Sequence, residues 1–532
     1  MARKGCRAGA TAEQTFVPQR IQCIGCGQAM WVAYHTHRTI TTLNGISRLT
    51  LHVRRCHNQQ CLRYHCPYRP EEEGRWALPH GEFGLDVIAL VGSLRYTSHR
   101  SVPEIHQALR DRGVPIAERT VTHLLQRYEE LVALSLSDQH RLRERFKEQG
   151  QIILALDGLQ PDVGHEVLWV VRDCLSGEVL LARSLLSACE ADLASLLREV
   201  QQTLDVPIRG VISDGQHSIR KAVQAALPDV PHQLCHFHYL REAAKLVYEA
   251  DRHAKKELKK HIRGVRPLER EVEKRDDAEA EAIRGYCLAV RSTLTDDGRA
   301  PLEAPGLKLH ERISALAASL TRVAKKRGLP RELERMQFFL TKGLTETTAL
   351  WSDVQQGYAW VHRAAHILTN DEKQNAVQVR QTYEGLLAEM EQAPSSSEAL
   401  TTMLSTFRKV TASYWPGLFH CYDHADLPRT NNELEQYFGS ARYHERRASG
   451  RKQASPGLVV RGAVRIVASV ASCLHSFSGV ELCPTDLARW RALRSELNNR
   501  HEARRMQHRF RKSPEKYLAA LEEKLIKERL LL

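Results

Sequence analysis

The pattern of apolar and polar positions divides the chain into segments of different secondary structure. Residues 21–70 contain β-prone stretches, whereas residues 80–140 carry helical patterns broken by short turns. Between 150 and 250, short apolar runs alternate with helical patterns, as in an α/β sheet. Residues 251–425 are largely helical and strongly charged, and a helix-rich apolar segment returns at 426–480. A chain of 532 residues with this division is expected to fold as several domains.

Two apolar runs in the α/β segment end in the same pair, Asp-Gly. The first run leads to Asp157-Gly158 and the second to Asp214-Gly215. Two further strand-like runs and a helix lie between them. Three strands, a helix and a fourth strand, with acids on strands one and four, describe an RNase H-like sheet, in which strands one and four are neighbours. We therefore expect Asp157 and Asp214 to lie close together.

Paired carboxylates of this kind predict a metal site. Two carboxylates held close together repel each other unless divalent cations neutralise them, and hard oxygen ligands with room for water suit Mg²⁺ or Mn²⁺. Two such ions about 4 Å apart can activate an attacking water or 3′-hydroxyl and stabilise the leaving oxygen. The alternative is that Asp157 and Asp214 merely end their strands.

Four N-terminal cysteines have the spacing of a structural zinc site. Cys23 and Cys26 form one pair, and Cys56 and Cys61 form a second pair after 29 intervening residues. Four thiolates on two turns provide the tetrahedral set that structural Zn²⁺ requires, so we predict a zinc-ribbon-like domain at 21–70. The alternative is four unrelated buried cysteines. Nearby substitutes for the fourth ligand are Cys66, His57 and His65.

The segment 80–140 predicts a helix-turn-helix domain. A helix at 83–96 precedes Ser101, which is placed to cap a second helix, and Gly113 marks the turn before a third. Such an arrangement can put the last helix in the major groove of DNA. A plain three-helix packing module is the alternative. The expected exposed face of the last helix consists of Arg119, Thr120, Thr122, His123 and Arg127.

Charge and cysteine content narrow the class of protein. The 77 Lys and Arg residues exceed the 63 Asp and Glu residues by 14, and this surplus favours a polyanionic partner such as nucleic acid. Thirteen cysteines without a secretory signal argue for a reducing compartment rather than a disulfide framework. We see no run of about 18 apolar residues, so we expect no membrane-spanning helix and a cytoplasmic location.

Two further motifs carry a resemblance to a known family. A helix after Asp214 ends near Pro228, and His232-Gln-Leu-Cys235-His236-Phe237-His238 follows. Later, Arg429-Thr430-Asn431-Asn432-Glu433-Leu434-Glu435 contains the pattern Thr-Asn-Asn-x-x-Glu. With these motifs in this order, the chain resembles the DDE transposases of the Mutator-like superfamily and related bacterial insertion sequences. The resemblance covers 150–250 and 428–475.

The resemblance implies a third catalytic acid at Glu435. Glu433 is the alternative, because a helical wheel places both glutamates beside the buried stripe. Glu435 is favoured because it shares one helix ridge with Arg442 and Arg446, which would set the acid beside phosphate-binding cations.

The resemblance also maps its Cys-x2-His pair onto Cys235 and His238. Two ligands rarely hold a metal alone, so we expect a supporting role. His238 would lie near the scissile phosphate or a catalytic acid, with Cys235 packed beneath it and His236 as a further candidate.

The resulting expectation is a multidomain α/β protein. An RNase H-like core, formed by 150–250 and 426–480, is split by an all-α insertion at 251–425. A flexible lead (1–20), the zinc ribbon and the helix-turn-helix precede the core, and a charged helical tail (481–532) follows it.

The resemblance further implies binding of terminal inverted repeats, cleavage at the element ends, and joining of the 3′-hydroxyls to target DNA. Two Mg²⁺ (or Mn²⁺) ions per active site, a structural Zn²⁺, a homodimer or higher oligomer and a bacterial nucleoid location are expected with it. Within the insertion, cationic candidates for phosphate contacts are Lys255, Lys256, Lys259, Lys260, Arg263 and Arg266, and candidates for base stacking are Trp351, Trp360 and Trp415. The rival interpretations are an inactive DNA-binding regulator and an RNase H-like nuclease.

Overall fold

The structure is a computed structural model that describes residues 9–160, 166–262, 264–393, 397–450 and 456–529. The chain divides into two compact units. The first unit comprises residues 1–209, 221–228 and 433–532, and the second comprises residues 210–220 and 229–432. Arg263 lies outside the described residues.

The described chain is mixed α/β with a large helical part. The strands are β1 (Ala12–Phe16), β2 (Trp31–Thr42), β3 (Gly45–Arg55), β4 (Ile152–Leu159), β5 (Val167–Asp173), β6 (Val179–Leu185), β7 (Ile208–Ser213) and β8 (His232–Leu234). The helices are α1 (Glu73–Trp76), α2 (Leu85–Tyr96), α3 (Val102–Asp111), α4 (Glu118–Leu136), α5 (Gln139–Gln149), α6 (Glu190–Thr203), α7 (His217–Ala226), α8 (His236–Ala243), α9 (Lys245–His261), α10 (Val265–Glu271), α11 (Ala278–Thr295), α12 (Pro305–Arg327), α13 (Arg331–Glu346), α14 (Thr348–Thr369), α15 (Ala376–Gln392), α16 (Glu398–Tyr414), α17 (Asn432–Ser449), α18 (Pro456–Leu474), α19 (Leu487–Lys512) and α20 (Pro514–Arg529). Two 3-10 turns, Trp415–Gly417 and His420–Tyr422, lie between α16 and α17.

The N-terminal part of the first unit is a three-stranded sheet in the order β1-β3-β2. β2 and β3 pair as an antiparallel hairpin, and β1 runs parallel to β3. Phe16, Ile40, Leu49 and Leu51 form its small apolar core. The expectation of a flexible lead at 1–20 is therefore wrong for β1, because pairing with β3 orders a segment whose own pattern is largely polar.

Helices α2, α3 and α4 form the next part of the first unit, at the positions that the sequence predicts. Ser101 begins α3 with a capping box, in which its hydroxyl accepts from the Glu104 backbone and the Glu104 side chain accepts from the Ser101 backbone. Gly113 follows α3 with a φ of +76°, a conformation that favours glycine. Ile105 and Val121 are fully buried where the helices pack together.

The α/β segment contains every element expected of it. Within the first unit, β4 pairs antiparallel with β5, and β5 with β6. Ile152, at the start of β4, donates its N–H to the Pro207 carbonyl just before β7 (3.1 Å). In the second unit, β7 and β8 pair in parallel. The strand order within the first unit is therefore β6-β5-β4.

The second unit is otherwise helical, from α8 to α16, with two apolar cores. One core contains Trp360, Tyr383 and Phe419, and the other contains Trp351 with residues of α9 to α13. The described residues between 251 and 425 are thus helical, as their periodicity predicts.

Helix α18 contains one span, Gly457–Leu474, that is long and apolar enough to cross a membrane. It is 56% buried within the protein, packs against α2, α4 and β6, and carries Arg461 and Arg465 in ion pairs with Glu129. A core helix accounts for these observations, so the span is weak evidence for a membrane segment.

Candidate catalytic and metal sites

The four predicted zinc ligands form one group in the first unit. The sulfur atoms of Cys23, Cys26, Cys56 and Cys61 all lie within 4.8 Å of one another. The Cys23–Cys61 sulfur distance is 3.8 Å and the Cys26–Cys56 distance is 3.6 Å. A tetrahedron with Zn–S bonds of about 2.3 Å has sulfur–sulfur distances of about 3.8 Å. The group could therefore hold a zinc ion.

Backbone amides in the turns after Cys23 and Cys61 support this group. Gly25 donates its N–H to the Cys23 sulfur (3.4 Å), and Arg63 donates to the Cys61 sulfur (3.3 Å). The Gly25 hydrogen bond is the main reason that the pKa of Cys23 falls to about 7, although burial opposes it. The substitute ligand Cys66 is exposed and lies outside the group.

Asp157, the first predicted catalytic acid, lies on β4 in the first unit. Its side chain is buried, and one carboxylate oxygen accepts from the Gly158 N–H (2.7 Å). The residue is paired with Val170 of β5 in the sheet register.

Asp214, the second predicted acid, directly follows β7 in the second unit and is half-buried. Two side chains hold the backbone at Asp214 and Gly215. Tyr414 donates its hydroxyl to the Asp214 carbonyl (3.0 Å), and Arg220 donates its Nε to the Gly215 carbonyl (2.6 Å). Arg220 also lies over the Tyr414 ring, 4.5 Å from its centroid.

Gly215 is required by this arrangement. Its φ is +85°, and a Cβ at this position would lie 2.8 Å from the Tyr414 ring. The close approach of Tyr414 therefore explains why a glycine follows Asp214. No pattern in the sequence pointed to Tyr414, which lies 200 positions from Asp214.

The Cys-x2-His and Thr-Asn-Asn motifs meet in the second unit. Asn431 donates its N–H to the Cys235 sulfur (3.3 Å), and His236 donates its N–H to the Arg429 carbonyl (3.0 Å). Cys235 is fully buried, and its own N–H donates to Ser213 at the end of β7 (2.8 Å). These contacts favour a packing role for Cys235 that links the two motifs to β7.

The histidines beside Cys235 differ in their surroundings. His236 is buried, and its Nε2 bonds to the Leu418 carbonyl (2.7 Å). Burial lowers the pKa of His236 to about 4, so the ring is neutral near pH 7 and is held by a structural contact. His238 is half-buried and lies edge-on to Phe237. His238 is therefore the better candidate for contact with substrate.

The two glutamates of α17 are distinguished by Arg172. Glu433 forms an ion pair with Arg172 of β5, a residue whose side chain is only 3% exposed. The Arg172 guanidinium also lies over the Tyr437 ring at 4.9 Å. Glu435 is half-buried at the other flank of the stripe formed by Leu434 and Phe438. Glu433 thus has a structural partner that the sequence did not indicate.

The predicted DNA-contacting face of α4 is exposed at its start and covered further along. Arg119, Thr122 and His123 are exposed. Arg127 differs from the expectation, because its side chain is 20% exposed, forms an ion pair with Glu130 and lies 6.0 Å from the Trp490 ring centroid. Arg127 therefore contributes to packing against α19. Arg442 and Arg446 of α17 are exposed.

The insertion candidates are mostly engaged within the second unit. Lys255 is buried and donates to the Asp296 carbonyl, while Lys259 donates to the Leu294 carbonyl and Lys260 pairs with Glu257. Trp351 and Trp360 are buried core residues, and Trp415 packs on Phe419 with ring centroids 4.8 Å apart. These contacts do not support a phosphate-binding lysine row or base-stacking tryptophans.

The comparisons with known proteins bear on one part of this chain. The family model described as "Transposase, Mutator family" matches residues 195–300, a range that includes Asp214, Cys235 and His238. No curated protein matches the chain.

Proposed function

We propose that this chain, which carries a Mutator-family transposase domain at 195–300, is a DNA transposase. It binds the terminal inverted repeats of a transposable element, cleaves phosphodiester bonds at the element ends and joins the 3′-hydroxyls to target DNA. The family match over Asp214, Cys235 and His238 is the observation that carries the proposal.

The proposed catalytic acids are Asp157, Asp214 and Glu435. Asp157 lies on β4 and Asp214 directly follows β7, each at the strand that the sequence predicts for it. Glu433 is already paired with the Arg172 guanidinium. This ion pair supports Glu435 as the third acid.

Three carboxylates of this kind fit Mg²⁺ or Mn²⁺, which prefer hard oxygen ligands. When bound, two such ions supply an activated water or 3′-hydroxyl and stabilise the leaving oxygen. The protein's own contribution is to orient the carboxylates, and Tyr414 and Arg220 do so for Asp214 by holding the backbone on which it lies. His238 contacts the phosphate that reacts.

DNA binding is assigned to exposed cationic and polar residues outside the acids. In the proposed helix-turn-helix, Arg119 and Thr122 contact the major groove, and on α17 Arg442 and Arg446 contact phosphates near Glu435.

The four cysteines hold a structural Zn²⁺ in a zinc ribbon. Pairing of two element ends requires a dimer or higher oligomer, and the protein acts at the bacterial nucleoid.

The decisive experiment is an end-joining assay with the full-length chain. Labelled duplexes that carry the inverted repeats flanking the gene are incubated with a supercoiled plasmid, with and without Mg²⁺. We expect Mg²⁺-dependent cleavage at the repeat and a labelled plasmid product. Cleavage without joining would favour an RNase H-like nuclease, and binding without cleavage would favour an inactive DNA-binding regulator.

A further inference from the structure

An open groove in the first unit runs along the strand β6. Its volume is about 430 Å³, which is within the range of clefts that hold ligands. Successive side chains of a strand point to opposite faces of a sheet. A groove that meets six consecutive residues therefore follows the edge of β6 and not one of its faces. These six residues are Val179, Leu180, Leu181, Ala182, Arg183 and Ser184.

The edge of β6 that faces this groove has no partner strand in the described part of the chain. β6 pairs with β5 on one side only. In an antiparallel strand, every second residue directs its N–H and C=O away from the paired neighbour. Between Val179 and Leu185, no described residue bonds to these outward backbone groups. Such an edge can accept a further strand.

Two helices enclose the space beside this edge. Helix α18 packs against both β6 and α19, so it forms the floor of the groove, and β6 and α19 form the two sides. The floor is apolar where Ala463, Val464 and Val467 line it. Because α19 lies across the groove from β6, there is room for one added strand but not for a second sheet.

The α19 side of the groove is one face of the helix. Its lining residues recur every three or four positions from Arg489 to Arg500. This stretch is about 17 Å long at 1.5 Å per residue. An extended chain rises about 3.3 Å per residue, so the groove can hold about five residues of extended peptide.

The charges that line the groove favour a cationic occupant. Glu496 of α19 is exposed and forms no hydrogen bond or ion pair with the residues that the structure describes. Each lining arginine has a partner within the first unit. The pairs are Arg183 with Glu199, Arg489 with Ser137 and Arg500 with Glu166. A Lys or Arg side chain in the groove would complement Glu496, whereas a phosphate would be repelled by it.

We propose that this β6 groove binds an extended peptide segment of a partner protein, which pairs with β6 as an added strand. Main-chain hydrogen bonds to the β6 edge hold the segment, as in other cases of strand addition. Alternate side chains of the segment are apolar and pack on α18, and one cationic side chain pairs with Glu496. The site is independent of the proposed catalytic acids and of nucleic acid.

The test begins with selection of peptides by the full-length chain from a random hexapeptide display library, in Mg²⁺-free buffer without DNA. We expect the selected peptides to alternate apolar and polar residues and to contain one Lys or Arg. Their affinity is then measured by fluorescence anisotropy. Glu496→Lys should weaken binding by about fivefold or more, since an exposed ion pair contributes up to about that factor. Selection repeated with Glu496→Lys should favour Asp or Glu instead.

Two further variants separate the groove from the rest of the surface. Glu522→Lys is the matched control, because it makes the same charge change at an exposed position of α20 outside the groove. It should leave the affinity unchanged. Ala492→Trp fills the groove from an exposed position of α19 and should abolish binding.

Strand addition itself is tested by N-methylation of a selected peptide. Alternate N–H groups of a strand point to opposite edges, so methylation of one alternate set should abolish binding and methylation of the other set should be tolerated. Equal effects of the two sets, or equal binding by Glu496→Lys and wild type, would overturn the proposal. Failure to select any peptide would also overturn it. Loss of self-association in Ala492→Trp, without peptide selection by wild type, would assign the groove to a second copy of the chain instead.

Discussion

At Asp214, a predicted catalytic side chain depends on backbone contacts that come from a distant part of the sequence. Tyr414 lies at the end of α16, and its hydroxyl reaches the Asp214 carbonyl. The ring also excludes any side chain larger than hydrogen at position 215. We therefore regard Tyr414 as a positioning residue for the acid.

We expect Tyr414→Phe to slow strand transfer by about tenfold, within the range typical of changes behind a metal ligand. The substitution removes the hydroxyl that donates to the Asp214 carbonyl and interacts with Glu242, but it keeps the ring, so stability should fall by only about 1 kcal/mol. The measurement is the single-turnover joining rate at saturating DNA, with DNA affinity determined separately and expected to be unchanged.

Tyr422→Phe is the control for this prediction, because Tyr422 donates a comparable hydrogen bond to the Leu368 carbonyl (2.6 Å) away from Asp214. Equal slowing in both variants would mean that Tyr414 acts through general stability.

Two single residues have tertiary contacts that could not be predicted from the sequence. The helical wheel left Glu433 and Glu435 as alternatives, and the contact of Glu433 with Arg172 is a tertiary difference that the wheel could not show. Arg127 looked exposed on a helical wheel, but α19 from the far end of the chain covers it. A helical wheel shows which residues share a face of a helix. It does not show which other elements pack on that face.

Elements whose own pattern is strong were predicted closely. The capping box at Ser101 marks the start of α3, and the Asp-Gly pairs lie at β4 and directly after β7. The short helix α1 (Glu73–Trp76) has no comparable pattern in the sequence. Glu73 is buried there, because Arg38 (2.7 Å) and Arg69 (2.6 Å) neutralise it. Such tertiary pairs leave no local pattern.

The four-cysteine group leads to a prediction about the zinc content of the protein. We expect Cys61→Ser to lose zinc, because its sulfur completes the group with Cys23. Cys66→Ser should retain about one zinc per chain, because Cys66 lies outside the group. Zinc is measured by mass spectrometry on protein purified without added chelator. Loss of zinc from Cys66→Ser, with zinc retained by Cys61→Ser, would show that Cys66 and not Cys61 is the fourth ligand.

The junction of α4 and α18 leads to a prediction about acid stability. Breaking a buried ion pair costs about 3–5 kcal/mol, so we expect Glu129→Gln to lower the stability of the first unit by that order at neutral pH. The folded pKa of Glu129 is lowered, so its contribution is present above its unfolded pKa of about 4.3 and is lost as pH falls through the folded pKa.

Urea denaturation from neutral pH to about pH 3 measures this effect, and the difference between wild type and Glu129→Gln should shrink on acidification. Glu144→Gln is the control, since Glu144 is an exposed partner of His140 and should change stability by less than about 1 kcal/mol. A constant difference between wild type and Glu129→Gln at every pH would contradict the assignment.

Over the whole chain, the sequence predicted α/β and helical parts, and the described residues are mixed α/β with a large helical part. The residues that carry the proposed chemistry belong to both units, with Asp157 and Glu435 in the first and Asp214 and His238 in the second. Local pattern pointed to Asp157 and Asp214 as candidate acids, whereas the proposal of Glu435 and of a shared role came from the order of the family motifs.

The proposed function requires that Asp157, Asp214 and Glu435 all act in metal-dependent strand transfer. The most direct test is strand transfer with Mg²⁺ by Asp157→Asn, Asp214→Asn and Glu435→Gln, with Glu433→Gln as the matched control. We predict that each of the three acid variants loses joining by about 100-fold or more, since changes behind a metal ligand already cost 10–100-fold. Glu433→Gln should stay within about threefold of wild type, because Gln can still accept from Arg172 and the pair is largely exposed on the Glu433 side. Near-normal joining by any of the three acid variants, or loss in Glu433→Gln to the level of Glu435→Gln, would contradict the claim.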